Sequence, residues 1–588
     1  MAFTVSDLII ETLKSAGVER VYGIPGDSLN GFTDALRRDG TISWRHVRHE
    51  EAAAFAAAGD AAITGELAVC AASCGPGNLH LINGLYDAHR SRVPVLAIAA
   101  HIPSKEMGGF YFQETHPQEL FRECSCYCEL VASPAQLPYV LDIAVRSAVE
   151  QRDVAVLAIP GDVLLHEMER AAAVTKIRAT RAVMRPSDTE LAAAADALNT
   201  ARRVTILAGA GCAESRSEVL ALAEALQAPI VHTLRGKEVL EYDNPFDVGM
   251  TGLLGFSSGY RAMEACDTLL MLGTDFPYRE FYPPGVTVIQ VDLRGEHIGR
   301  RVKVDVPLVG TVRDTATALL PRVQAKTEGH HLGRMRKHYA KTRERLDELA
   351  INDHNRTPLH PQFVAKTLSA MAADDAVFLA DVGTPVVWAA RYLSMNGRRR
   401  LIGSFNHGSM ANSLPQAIGV QSAQPGRQVV TLSGDGGLAM MFGELITLRQ
   451  LKLPVKIVVF NNGSLSFVEL EMKAAGLVNF GTNLDDPNFA AVASALGLHG
   501  ERVERPDGLA AAFRSAFDHD GPALVEVMTA RQELSIPPTI TFEQVKHFTL
   551  YATRTVLSGR GDELIDLAET NVVRQFLTSG DSPVSVGR

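Results

Sequence analysis

The chain has 588 residues, 46% hydrophobic and 21% charged, and carries a net charge of −10. At roughly 100–200 residues per domain, that length calls for three or four hydrophobic cores, not one. The acidic balance excludes a general nucleic-acid binder, which carries a basic excess.

Taken in order, VSDLIIETLKSAG near the amino terminus reads as an amphipathic helix, not a signal peptide. RHEEAAAFAAAGDAA follows as a strand that turns into an alanine-rich helix. Glu50 lies in its first turn, where an acid ordinarily complements the helix dipole. LAVCAASCGPGNLHLINGLYDAHRSRVPVLAIAA (67–100) reads as strand, Gly-x-Gly turn, helix, Pro, strand. Its apolar runs are far shorter than the ~20 residues of a spanning helix, so the body is expected to be soluble and cytoplasmic. Cys124, Cys126 and Cys128 in ECSCYCEL match no usual zinc spacing and read as free thiols.

A charged stretch at 166–190 interrupts the strand–helix alternation. VTILAGAGCAES (204–215) then gives a strand and Gly-x-Gly, but Glu214 stands where a dinucleotide fingerprint has its third glycine. VTVIQVDLRGEHIG (286–299) is a strand ending in Asp292, placed as a ribose-binding acid would be. A second interruption, 323–350, reads as a linker and a solvated helix. Further on, Arg398–Arg400 reads as a turn with solvated charge. The pattern predicts an α/β fold of three doubly wound parallel-sheet domains, 1–182, 183–334 and 335–530, with a tail over 531–588.

The third block holds the informative motif, QVVTLSGDGGLAMMFGELITLRQLKLPVKIVVFNNGS (428–464). A strand over Val429–Ser433, a helix through Leu438, Met441, Leu445 and Leu448, and a strand over Val455–Phe460 make a βαβ unit. Its right-handed crossover puts both strand ends on one edge. Asp435 and Asn462, 27 positions apart, thereby become neighbours. One carboxylate and one amide oxygen suit Mg²⁺, which completes its octahedron with phosphate oxygens and water. Gly434, Gly436 and Gly437 let a phosphate approach the backbone. The motif predicts a metal-bridged diphosphate. Residues 67–100 repeat this layout faintly, without the Asp and Asn, so the two blocks are expected to do different jobs.

GDG, 24 residues, then NN is the spacing of the thiamin diphosphate (ThDP) motif. With GDSLNGFTDAL, RHEEAAAFAA, CGPGNLHLINGL, YFQETHPQELFREC, LRGKEVLEYDNP, GMTGLLGFSSG, FNHGSMAN and LSIPP, nearly the whole chain resembles the ThDP-dependent pyruvate oxidase and ubiquinone-dependent pyruvate dehydrogenase family. The resemblance implies a pyrimidine-binding first domain, an FAD-binding central domain and a diphosphate-binding third domain. It makes Glu50 the partner of the aminopyrimidine ring. Gly408, Ser409 and Met410 would bind and bend the cofactor, with Met410 beneath it. Asp435, Gly436, Gly437, Asn462, Ser464, Leu465, Ser466, Phe467 and Val468 would wrap its diphosphate, and Asp435, Asn462 and the Ser464 carbonyl would hold Mg²⁺. His80, Phe112, Gln113, Val382, Phe467 and Glu471 match substrate-pocket positions.

For FAD the resemblance implies Thr251, Gly252, Leu253, Leu254, Thr274, Asp275, Phe276, Pro277, Tyr278 and Asp292, with Arg235, Gly236 and Lys237 as further contacts. The implied reaction is oxidative decarboxylation of pyruvate to acetate and CO₂, with electrons leaving through FAD to a membrane quinone. The alternative is an acetolactate synthase-like carboligase whose FAD has no redox use. The implied assembly is a homo-oligomer, usually a tetramer, with Glu50 and Asp435 meeting across a subunit interface. In the tail, Leu564, Ile565, Ala568, Val572 and Phe576 share one helical face, and the resemblance makes it a lipid-responsive segment, peripheral on the inner face of the cell membrane. Its acids, Asp562, Glu563, Asp566 and Glu569, give anionic lipid no electrostatic hold.

Overall fold

The computed structural model describes residues 2–169, 177, 180–351 and 357–531. LSIPP and the expected tail helix lie outside the described residues. Among the described residues no helix is long and apolar enough to cross a membrane.

Three six-stranded, all-parallel sheets follow one another along the chain. The first contains β1 (Arg20–Gly23), β2 (Ser43–His46), β3 (Ala68–Ala72), β4 (Val95–His101), β5 (Tyr127–Leu130) and β6 (Val154–Pro160), in the order β2-β1-β3-β4-β6-β5. The second contains β7 (Val204–Ala208), β8 (Ile230–His232), β9 (Asp247–Met250), β10 (Thr268–Leu272), β11 (Thr287–Asp292) and β12 (Val306–Val309), in the order β12-β11-β10-β7-β8-β9. The third contains β13 (Val377–Ala380), β14 (Arg400–Gly403), β15 (Val429–Gly434), β16 (Lys456–Asn461), β17 (His499–Val503) and β18 (Ala523–Met528), in the order β14-β13-β15-β16-β18-β17.

The central strands are unbroken apolar runs because helices cover both faces; β3, β4 and β6 are buried throughout. The first and third sheets share one strand order, so the two βαβ units with matching layout occupy equivalent places. The second sheet, counted from β9, has the 3-2-1-4-5-6 order of dinucleotide-binding folds, with its switch point between β7 and β10.

The first and third domains meet along two helices, α1 (Glu50–Thr64) and α3 (Ser413–Ala423), with α2 (Pro76–Ser91) packed beside α1. The alanine-rich sequence of α1 has its reason here. A Cβ on Gly419 would stand 1.8 Å from the Ala56 carbonyl oxygen, and one on Gly59 would stand 2.3 Å from that of Gln416. Only small residues let two backbones come this close. Buried Asp87 of α2 accepts a 2.7 Å hydrogen bond from Gln416 Nε2, which fixes the crossing.

Two expectations need correction. The charge of Arg398–Arg400 is not simply solvated, because Arg399 is buried and donates to the Ala372 and Ala373 carbonyls and Arg400 pairs with Glu238 at 3.0 Å. The helical period from Leu438 to Leu448 is two helices, α4 (Asp435–Met440) and α5 (Glu444–Leu451), broken at Met441–Gly443. The break turns Glu444 inward, where it accepts the Arg48 N–H at 3.0 Å, just before α1. The apolar period runs on across the break, so the sequence pattern does not register it. All seven cysteines are free. Burial pushes the Cys124 and Cys126 thiols up to about 12, so they are not thiolates.

Candidate cofactor and metal site

The parallel register of β15 with β16 carries Gly434 to Phe460, so the residues after both strands share the carboxyl edge of the sheet. Asp435 starts α4 and is buried. Its Oδ2 accepts N–H bonds from Asn462 at 2.9 Å and Gly463 at 2.7 Å, and its Oδ1 accepts from Gly436 at 2.8 Å. Asn462 turns back on its own loop, its Oδ1 accepting the Ser464 N–H at 3.1 Å and its Nδ2 donating to Ser466 Oγ at 2.7 Å. Met410 closes over the turn, its Cε 3.6 Å from where a Cβ on Gly436 would stand. Leu465 borders the same turn.

The site is short of positive charge. Burial pushes the Asp435 carboxyl up against the pull of its N–H donors. Asp486 lies beside it; burial and then the Asp435 charge push Asp486 to about 6, and its buried Oδ2 has no partner. Among the described residues neither acid has an ion-pair partner, so the hard oxygens here fit a divalent cation. Sequence reading missed Asp486, whose signal is only an acid in a loop that returns to the site.

Sequence reading also missed Asp381, at the end of β13. Together with Asp435 it flanks the switch point of the third sheet. Asp381 Oδ1 accepts the Ser413 N–H at 3.0 Å, while Oδ2 is buried without a partner. Burial raises this carboxyl to about 7. A Cβ on Gly437 would stand 2.2 Å from Asp381 Oδ2, so the last glycine of the GDGG turn is required by that carboxylate. Val382 follows, its N–H donating to Asn412 Oδ1 at 3.3 Å. Gly408 takes a left-handed φ of 83° in the loop that leads to Met410.

Glu50 is the first residue of α1, with its Oε2 2.8 Å from His80 Nδ1 of α2. Its Oε1 is 3.2 Å from where a Cβ on Gly77 would stand. His49 stacks on His80 at 4.3 Å, and the donor atoms of His49, Glu50 and His80 lie within 4.8 Å of one another. Hydrogen bonds already engage this set, because His49 Nδ1 accepts the Glu51 N–H at 3.2 Å and His80 pairs with Glu50. It reads as a fixed carboxylate, not a metal centre. One turn along α2, Asn83 links the halves: Nδ2 donates to Glu51 Oε1 at 2.7 Å and to Ser409 Oγ at 2.9 Å, and Oδ1 lies 2.8 Å from His407 Nε2.

The remaining expected residues fall into separate places. Gln113, with a φ of 63°, packs against Gly75, and its Oε1 accepts from Cys74 Sγ at 3.4 Å. Phe112 is 78% exposed. Phe467 packs on the third core, Val468 is exposed, and exposed Glu471 adds, after burial and Glu280, to the upward push on the Tyr278 hydroxyl. Buried Glu469 ties the loop together. It accepts from Ser464 Oγ at 2.7 Å, from Lys473 Nζ at 2.8 Å and from Arg531 Nε and Nη2 at 3.3 Å.

The central sheet has its switch point between β7 and β10. Gly209 N–H donates to Leu272 O and Gly211 N–H to Gly273 O, which draws the turns after β7 and β10 together beside Thr274. Asp292 ends β11 and accepts the Arg294 N–H at 2.9 Å, with His297 Nδ1 3.6 Å away. Thr251 Oγ1 is buried without a partner. Gly252, Phe276 and Tyr278 pack together, while Leu254 leans into the third domain, where Arg391 Nε donates to its carbonyl. Leu253 is exposed, Asp275 is paired with Arg301 at 2.9 Å, and Pro277 lies between Phe276 and Tyr278. Of the further contacts, Arg235 donates to the Ser91 carbonyl and Lys237 pairs with Glu241. Both side chains are spent inside the protein, leaving Gly236 between them.

Comparison with known families agrees with this architecture. Residues 3–122 match the thiamine pyrophosphate enzyme N-terminal TPP binding domain, 191–319 the central domain, and 381–527 the C-terminal TPP binding domain. The putative thiamine pyrophosphate-containing protein YdaP of Bacillus subtilis is 36% identical over 96% of this chain and 98% of its own. Pyruvate oxidase of Lactiplantibacillus plantarum is 31% identical over 86% of this chain and 85% of its own. Acetolactate synthase isozyme 2 large subunit of Escherichia coli is 32% identical over 88% of this chain and 94% of its own. Three matched domains in the right order, on three parallel sheets, with Asp381 and Asp435 at the switch point of the third, place this chain in the thiamine pyrophosphate enzyme family.

Proposed function

We propose that the protein oxidises pyruvate with water to acetate and CO₂, and that FAD carries the electron pair to a membrane quinone, leaving quinol. ThDP, when bound, supplies a carbon nucleophile and electron sink for decarboxylation of a 2-oxo acid. The chain's own residues would do the rest. Asp435, the Asn462 side-chain oxygen and the Ser464 carbonyl would hold Mg²⁺ and through it the diphosphate. Gly436, Gly437 and the 464–468 segment would border that diphosphate. Glu50, oriented by His80, would hydrogen-bond the pyrimidine ring, and Gly408 to Met410 would set the cofactor's bend. Phe112, Gln113, Val382, Phe467 and Glu471 would shape the pocket for a small 2-oxo acid.

The central sheet, with its strand order, Asp292 and unpartnered Thr251 hydroxyl, suits a dinucleotide in either reading; what favours oxidation is the likeness to pyruvate oxidase along 86% of the chain. Asn83 joins Glu51 to Ser409 within one chain, so the reading takes a homo-oligomer, usually a tetramer, from the resemblance alone, and 531–588 as the lipid-responsive segment. An acetolactate synthase relative of the same identity level supports a second reading, in which another 2-oxo acid accepts the decarboxylated fragment and FAD is idle. Anaerobic stopped-flow mixing of the holoenzyme with pyruvate separates the two. Bleaching of the flavin at the turnover rate supports oxidation, and an unreduced flavin alongside acetolactate formation overturns it.

A further inference from the structure

Ser464, Glu469 and Lys473 are buried to within a few per cent, and the mechanism assigns no chemistry to the two charged side chains. A buried Lys–Glu pair is a poor stability device, because an apolar replacement is often as good or better. Its place suggests another role. Ser464 is pinned from several directions: its N–H donates to Asn462 Oδ1 at 3.1 Å, its hydroxyl donates to Glu469 Oε2 at 2.7 Å, and its carbonyl accepts the Ser466 N–H at 2.8 Å. Asn483 pairs with Ser464 through a β-bridge, and Arg531, which reaches Glu469, also donates to Asn483. Glu469 therefore anchors the Ser464 side chain, while the peptide that carries its carbonyl is held on the far side by the Leu465 N–H on Thr482 O at 2.9 Å, beside Asp435 and Asn462.

We propose that Glu469, held by Lys473 and Arg531, is a positioning residue that aims the Ser464 carbonyl at the divalent cation and so sets the protein's Mg²⁺ affinity. This deepens the proposed function and rests on it. A peptide plane that can rotate offers its oxygen to the metal for only part of the time, and the apparent affinity falls by that fraction. Losing one hydrogen bond to a buried charge corresponds to about tenfold, that is ~1.4 kcal/mol.

The test is an Mg²⁺ titration at fixed ThDP, read by quenching of intrinsic fluorescence, with melting temperatures measured alongside. Ser464→Ala removes only the hydroxyl and keeps the carbonyl. The pair Glu469→Ala with Lys473→Met removes the anchor without stranding a buried charge, since Arg531 is about a third exposed and keeps Asn483. Each is expected to raise the half-saturating Mg²⁺ concentration about tenfold while ThDP still binds at saturating metal. A purely structural role would lower the melting temperature and leave the Mg²⁺ dependence unmoved, which overturns the inference. Should the double variant fail to fold, wild-type Mg²⁺ dependence in Ser464→Ala alone overturns it. Wild-type protein that binds no ThDP with Mg²⁺ would instead sink the functional reading.

Discussion

Replacing Asp435 with Asn changes one oxygen to nitrogen and leaves the shape alone. In the native site, three backbone N–H groups point at this carboxylate, from Asn462 at 2.9 Å, Gly463 at 2.7 Å and Gly436 at 2.8 Å. An amide has one acceptor oxygen. Its best orientation keeps the two bonds to Asn462 and Gly463 and turns its NH₂ toward the Gly436 N–H, donor against donor. One charge-assisted bond is lost and one buried donor is left unpaired, a cost of about 2–4 kcal/mol. The metal also loses its anionic protein ligand. Asp435→Asn is thus expected to weaken Mg²⁺-dependent ThDP binding by ~100-fold or more, measured by fluorescence quenching, with circular dichroism confirming an intact fold. Wild-type affinity in this variant would refute the placement of the metal at the GDG turn.

Other perturbations report on neighbouring groups. Glu50→Gln keeps the His80 contact and the helix start, so ThDP should still bind while turnover with pyruvate falls at least ~100-fold; near-normal turnover would remove Glu50 from the chemistry. Gly437→Ala forces a methyl against Asp381 Oδ2 and should cost about 1–3 kcal/mol of stability, seen as a lower melting temperature and weakened cofactor binding. Asp381, raised by burial to about 7, favours its proton in the folded state. Its contribution is complete below the unfolded value of roughly 3.9 and is lost as pH rises towards 7, about 4 kcal/mol in all. Asp381→Asn should therefore flatten the fall in melting temperature between pH 5 and pH 8, and an unchanged slope would contradict the buried acid.

How much of this could be read from sequence depends on how local each signal is. The GDG turn and the asparagine pair were legible because apolar strand runs and a right-handed crossover force their ends together, whatever the rest of the chain does. The sheet architecture was legible for the same reason. The full strand order was not, since nothing in an apolar strand states which neighbours it will take. Asp381 and Glu469 escaped because their meaning lies in partners: a serine N–H and a glycine far along the chain for one, a lysine, an arginine and a serine hydroxyl for the other. Glu444 lies within an apolar period that runs on unbroken, so nothing local marks it. Its role appears only with Arg48, hundreds of positions away, whose N–H it accepts.

The most direct test of the account is calorimetric titration of ThDP into chelator-treated protein, with and without added Mg²⁺. One ThDP per chain, bound only when Mg²⁺ is present, is the expected result. Heat that is absent in both titrations, or binding indifferent to the metal, would contradict the claim that the Asp435–Asn462 edge grips a diphosphate through a divalent cation.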